Sequence, residues 1–129
     1  MAITLSIQTV ADQVGVSAHT LRYYERIGLV GHIQRRPDGH RAYTGGDIEW
    51  LVLLTRLRES GMPIRRMQEF AALVREGEHT VPDRLALLRE HQRALEEQHA
   101  ILEHTMDIVA RKVGAYQEIV ESLTVRTAS

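Results

Sequence analysis

The sequence predicts a mostly α-helical protein. It has a helix-turn-helix head, a short β-hairpin wing beside it, and one long C-terminal helix patterned for coiled-coil pairing. Three observations predict this. Two short amphipathic segments are separated only by Gly15-Val16-Ser17; a Pro37-Asp38-Gly39 turn lies between extended basic stretches; and an apolar seam runs unbroken from Leu85 to Leu123. The chain has 129 residues, 43% hydrophobic and 26% charged, a balance suited to one modest folded unit with an extension. Aromatics are only 5%, so a large compact core is not expected. Cysteine is absent, which removes disulfides, thiolate metal sites and thiol redox chemistry. No apolar run approaches the roughly 20 residues of a membrane span. Met1-Ala2-Ile3-Thr4 shows no basic region leading into an apolar stretch. The expectation is a soluble, cytoplasmic protein without membrane contact.

The head can be justified element by element. Ser6 is a good N-cap, and Ile7, Val10, Ala11 and Val14 follow at helical spacing until Gly15 stops the helix. Ser17 starts a second helix at once, running through Leu21-Arg22-Tyr23-Tyr24-Glu25-Arg26-Ile27 to Gly28. Two short helices joined by so tight a turn form a helix-turn-helix, in which the first helix packs and the second can enter a groove. Pro-Asp-Gly then makes a turn, since Pro presets φ and Gly accepts a positive φ. Ile33-Gln34-Arg35 and Arg41-Ala42-Tyr43 can pair across it as a basic-tipped hairpin that must lean on the helices. Thr44 and Asp47 have capping-box spacing, and Ile48, Leu51, Val52, Leu54, Thr55 and Leu57 continue the next helix to Gly61. Pro63 opens another, with Ile64, Met67, Phe70, Ala71 and Val74 inward, ending at Gly77; Thr80-Val81-Pro82-Asp83 has capping-box shape again.

The C-terminal pattern is different. Leu85, Leu88, Gln92, Leu95, His99, Leu102, Met106, Val109, Val113, Tyr116, Val120 and Leu123 alternate three and four apart. So long a seam argues for a coiled coil, which on so small a head needs a partner, and a second copy is the simplest. Gln92 and His99 interrupt the seam and can fix its register. A second stripe, Leu87, Ala94, Ile101, Ile108 and Ala115, recurs every seven residues and predicts a further packed surface, such as the head of either subunit. The expected division is a head over 1–77, a dimerisation helix over 78–123 and a frayed tail over 124–129.

Net charge is −1, but residues 1–75 hold ten Arg against seven acids, while 76–129 hold six basic and ten acidic residues. A basic head on a neutral chain suggests a confined polyanion-binding face.

Leu21-Arg22-Tyr23-Tyr24-Glu25-Arg26-Ile27-Gly28-Leu29-Val30 resembles the signature of the MerR family of bacterial transcriptional regulators. Arg41-Ala42-Tyr43, Asp47-Ile48 and Ser60-Gly61-Met62-Pro63-Ile64 fit the same family, as does the long terminal helix. The resemblance covers roughly the whole chain and is strongest over 7–75. It implies a winged helix-turn-helix head on an antiparallel coiled-coil homodimer. It also implies double-stranded DNA as partner, in a near-palindromic operator within an overlong promoter spacer. The family distorts that spacer so that RNA polymerase can engage both promoter elements, and usually senses an effector through a C-terminal part.

Arg22 is the best candidate for reading a base, because Arg can give guanine two hydrogen bonds; a phosphate contact is the plainer alternative. Tyr24 and Tyr43 match tyrosines that the family places on phosphate, whereas Tyr23 is assigned to packing. His19 and Thr20 are candidates at the first turn. Arg35, Arg36 and Arg41 on the wing are candidates for phosphate or the minor groove, and Arg65 and Arg66, after Pro63 at a helix start, for flanking phosphate. The dimerisation candidates are Leu85, Leu88, Leu95, His99, Leu102, Met106, Val109, Val113 and Tyr116.

No cofactor is implied. His91, His99 and His104 lie among Glu90, Glu96, Glu97 and Glu103, but without cysteines no metal site is assigned, a His/carboxylate sensor being the minor alternative. After Leu123 little remains for a separate sensor. A small-molecule effector would therefore bind near Trp50, Met67, Phe70, His79 and Tyr116, residues that can equally be core. No phosphate loop, catalytic triad order or metal motif argues for an enzyme. The rival readings are a coiled-coil adaptor and an effector-independent architectural DNA binder.

Overall fold

The computed structural model describes residues 4–128. Local capping builds the first two helices. The Ser6 hydroxyl accepts from Thr9 N–H at 3.3 Å to start α1 (Ile7–Val14), and Gly15 ends it at φ 86° with its N–H on the Ala11 carbonyl. The Ser17 hydroxyl accepts from Thr20 N–H at 3.0 Å and opens α2 (Ala18–Arg26). Only Gly15, Val16 and Ser17 separate the two helices, so the helix-turn-helix is present. Gly28, at φ 84°, ends α2, and Leu29 N–H closes back on the Tyr24 carbonyl at 2.9 Å.

Strands β1 (Gln34–Arg35) and β2 (Arg41–Ala42) pair antiparallel, Gln34 opposite Ala42 and Arg35 opposite Arg41. The turn between them is closed by Gly39 N–H on the Arg36 carbonyl and Arg36 N–H on the His40 carbonyl, both 2.8 Å. Tyr43 bridges Leu5 through two backbone hydrogen bonds of 2.8 Å, so the N-terminal segment supports the hairpin from its other side.

Helix α3 (Gly45–Glu59) carries the expected capping box: Asp47 N–H donates to the Thr44 hydroxyl at 3.2 Å, and Thr44 N–H to the Asp47 carboxylate at 2.8 Å. Helix α4 (Ile64–Glu76) follows Pro63, and a 3₁₀ turn (Glu78–Thr80) leads into α5 (Val81–Ala128). Thr80 does not act as the cap that its spacing suggested. Its hydroxyl lies 2.6 Å from the Leu73 carbonyl and 2.8 Å from the Gly77 carbonyl, and accepts from Arg84 Nε at 2.9 Å. It ties the start of α5 to the end of α4.

The core is mainly aliphatic and draws on all four head helices and the hairpin's flanks: Val10, Ala11 and Val14 of α1, Leu21 and Tyr24 of α2, Leu29, Ile33 and Tyr43 around the hairpin, Leu51, Leu54 and Leu57 of α3, and Met67 and Phe70 of α4. Leu87 joins it from α5, only 6% exposed, and Leu88 packs against it. The compact head unit runs to Leu88, because the first turns of α5 supply core side chains. Leu51, Leu54, Thr55 and Leu57 define α3's buried stripe, and Val52 is exposed.

The second unit begins at Arg89 and is helix throughout its described length. Helix α5 continues to Ala128. Among the described residues no helix is long and apolar enough to cross a membrane.

Candidate nucleic-acid interface

Helix α2 has one buried and one open face. Leu21 and Tyr24, three residues apart, share the buried face, and His19, Arg22, Tyr23 and Arg26 share the open one. Packing was expected of Tyr23, but it is the Tyr24 ring that packs. Tyr24, 5% exposed, packs in the core, and Tyr23, 37% exposed, stands outward with the Arg26 guanidinium 5.5 Å from its ring centre. Thr20 is half-buried, its hydroxyl 3.0 Å from that of Ser17.

The hairpin is bonded to this helix. Arg41 Nε donates to the Glu25 carboxylate at 2.7 Å, with both side chains only about a fifth exposed. Arg41 thus holds the wing against α2, leaving the outer guanidinium as the part that can face a ligand. The exposed basic tip consists of Arg35, Arg36 and His40. Arg35 donates to the Gly39 carbonyl at 2.9 Å, and Asp38 accepts from the His40 backbone N–H at 3.0 Å. That hydrogen bond and the His40 imidazole hold the Asp38 carboxyl below the usual carboxylate range.

Tyr43 is 1% exposed and lies within the electrostatic reach of Arg41, Glu25 and Arg22. Burial raises its phenol pKa, and likewise that of Tyr24, which also feels Arg58. Both therefore remain neutral O–H donors at neutral pH. Neither ring can spread over a ligand surface. Arg65 is exposed, and Arg66 pairs with Glu69 one turn along α4.

Sequence reading missed the groups that hold α2 in place. Three consecutive carbonyls at and just beyond its C-terminus accept from distant side chains: Ile27 from Gln68 Nε2 at 3.0 Å, Gly28 from Arg75 at 2.7 Å, and Leu29 from Trp50 Nε1 at 2.8 Å. Partners 21 to 47 residues apart leave no local signal.

The residues named for an effector site are not gathered into a cavity in the head. Met67 is fully buried and Phe70 is 4% exposed; Trp50 stacks on Phe70 with ring centres 5.5 Å apart and spends its N–H on Leu29. They are core, and His79 is exposed on the 3₁₀ turn. In the second unit, Leu95, Leu102, Met106, Val109, Val113 and Tyr116 are 37–63% exposed. His99 is exposed too, 3.7 Å from Glu103, and Leu85 is 46% exposed on the first turns of α5. Among the described residues no cluster of three His, Asp or Glu side chains could hold a metal ion.

Comparison with known proteins agrees with this geometry. Residues 5–73 match the family model described as "MerR HTH family regulatory protein", more than half of the chain. An uncharacterized HTH-type transcriptional regulator of Haemophilus influenzae is 32% identical, over 90% of this chain and 86% of its own length. The HTH-type transcriptional regulator AdhR of Bacillus subtilis is 40% identical, over 71% of this chain and 66% of its own. The crystal structure of HiNmlR, "a MerR family regulator lacking the sensor domain, bound to promoter DNA", superposes with TM-score 0.82 at 32% identity, covering 89% of this chain and 91% of that one. The chain belongs to the MerR family of helix-turn-helix, DNA-binding transcriptional regulators.

Proposed function

We propose that the chain works as a homodimer that seats two copies of α2 in successive major grooves of a near-palindromic promoter operator. It regulates by distorting an overlong promoter spacer so that RNA polymerase, its indirect partner, can engage. The observation that carries this reading is the open face of α2, N-capped by Ser17 and flanked by a basic wing that the Arg41–Glu25 pair fixes beside it. Arg22 reads a base, with His19, Thr20, Tyr23 and Arg26 around it. The Tyr24 and Tyr43 hydroxyls, Arg35, Arg36 and the outer part of Arg41 hold phosphate, and Arg65 and Arg66 reach the flanks. Phosphate contacts set position and base contacts set sequence, so the two groups of residues have different signatures. Two wings gripping one duplex can bend it, at a cost of order 1–6 kcal/mol offset by the extra contacts. A protein that acts on promoters works where the chromosome is, which in a bacterium means the cytoplasm.

The dimer is supported by α5. A helix with Leu102, Met106, Val109, Val113, Tyr116, Val120 and Leu123 all at least half exposed stands to gain by covering them. At about 25 cal/mol per Å², burying each side chain contributes roughly 1.5–3 kcal/mol.

A second reading concerns the effector. Small-molecule control is the usual family device, but Trp50, Met67 and Phe70 are packed into the core. This favours an effector-independent regulator, as does likeness to a protein whose structure is described as lacking the sensor domain. Native mass spectrometry separates the two: a retained small molecule on the purified dimer restores effector control, and a bare dimer supports independence.

The main test is selection of binding duplexes from a randomised pool, followed by footprinting. The reading expects two dyad-related half-sites about 34 Å apart, or a multiple of it. Arg22→Ala then loses roughly 1–3 kcal/mol on the selected duplex and little on random DNA. Failure to enrich any sequence contradicts the reading, and an equal loss on both duplexes makes Arg22 a phosphate contact. A selected duplex that stays straight in a circular-permutation gel removes the distortion step.

A further inference from the structure

We infer that Gln68 and Arg75 of α4 are positioning residues for sequence readout, which touch no DNA and act by fixing the C-terminal end of α2. The inference rests on the DNA-reading role proposed for α2.

A helix C-terminus leaves its last carbonyls without intrahelical partners, and ordinarily water takes them. Here the cap carbonyl of Ile27 and that of Gly28 accept from two side chains of one neighbouring helix. Gln68 and Arg75 are seven residues apart, two turns of α4, and so lie on the same face of it. Gln68 Nε2 makes its 3.0 Å bond in a partly buried setting, 41 residues from its partner. Arg75 makes its 2.7 Å bond at the surface, 47 residues from its partner. The Arg75 cation also sits at the negative end of the α2 dipole, the favourable end for a positive charge. The pair holds the end of α2 opposite to the Ser17 cap, and so sets the angle at which Arg22 and Tyr23 leave the head. Gly28, at φ 84°, has no side chain to hold this end itself.

Charge alone would count Arg75 among the basic residues that touch phosphate. Its bond to the Gly28 carbonyl assigns it elsewhere, and the two roles predict different data. A phosphate contact that is lost lowers the salt slope by about one and weakens specific and random DNA alike. A lost positioning contact leaves the slope intact and weakens the specific complex, because base contacts demand angular accuracy and phosphate contacts tolerate more.

The experiment uses the full chain, a duplex selected by the wild-type protein from a random pool, and poly(dI-dC) as random DNA. Failure of the wild type to select any duplex defeats the DNA-reading role itself, before the variants are made. With a duplex in hand, Arg75→Gln and Gln68→Ala are each expected to bind it roughly tenfold more weakly. Affinity for poly(dI-dC) stays within about twofold and the salt slope is unchanged. Arg75→Lys, which keeps a donor and a charge, recovers most of the loss. Three results overturn the inference: a salt slope lowered by about one for Arg75→Gln, unchanged specific binding in both variants, or a fall in the thermal midpoint that accounts for the whole affinity loss.

Discussion

The head through Leu88 and the helix from Arg89 onward solve the same problem in opposite ways. In the head, Val10, Leu21, Leu29, Leu51, Leu54 and Met67 are at most 1% exposed, and each helix covers the apolar stripe of another. From Arg89 onward the apolar residues are as regularly spaced, yet Leu102, Met106, Tyr116 and Val120 are 57–63% exposed. The difference teaches where each region's stability must come from. The head is stabilised by contacts within one chain, whereas the seam leaves its apolar side chains exposed in one chain, and the proposed dimer is what would cover them.

The sharpest way to break this contrast is to place charge in the seam. Leu102→Glu together with Val109→Glu leaves the head's own packing untouched but forfeits several apolar burials in a dimer, each present twice. A loss of up to roughly 6–12 kcal/mol in association is expected, read by sedimentation equilibrium as conversion to monomer. Secondary structure of the head should persist.

The converse change is Leu54→Ala. Leu54 is fully buried, so removing its side chain opens a cavity in the head and is expected to cost about 2–5 kcal/mol in urea unfolding. Leu123→Ala, at the exposed end of the seam, should cost the isolated chain far less at concentrations too low for pairing.

Ser17→Ala sharpens the picture within the head. It removes the hydroxyl that takes Thr20 N–H at the first turn of α2, so a loss of about 1 kcal/mol is expected in the same assay. The smallest effect has the opposite sign. Thr55 is 3% exposed and its hydroxyl has no hydrogen-bond partner. Thr55→Val exchanges that hydroxyl for a methyl group and should leave stability unchanged or raise it by up to about 1 kcal/mol. A clear loss on Thr55→Val would show that the hydroxyl is hydrogen-bonded in solution.

Much of this was legible in the residues. Ser6, Ser17 and Thr44 with Asp47 announce helix starts because capping acts over three or four residues, and Pro37-Asp38-Gly39 announces its turn for the same local reason. The seam is legible because its period is that of the helix itself. Packing was assigned to Tyr23, but Leu21 pointed to Tyr24: if Leu21 faces inward, the residue three further on does too. Trp50, Gln68 and Arg75 carried no signal, since a side chain that bonds a carbonyl 21 to 47 residues away obeys no spacing rule. Thr80 had the letters of a cap but gave its hydroxyl to the preceding helix, because the 3₁₀ turn places the Leu73 and Gly77 carbonyls beside it.

The most direct test of the central claim is the stoichiometry of the complex between the full chain and its selected duplex, weighed by native mass spectrometry. The expected result is two chains on one duplex with two half-sites, retained by Arg22→Ala at higher protein concentration and lost when Leu102 and Val109 are both replaced by Glu. A single chain per duplex, or a two-chain complex that survives the seam substitutions, would contradict it.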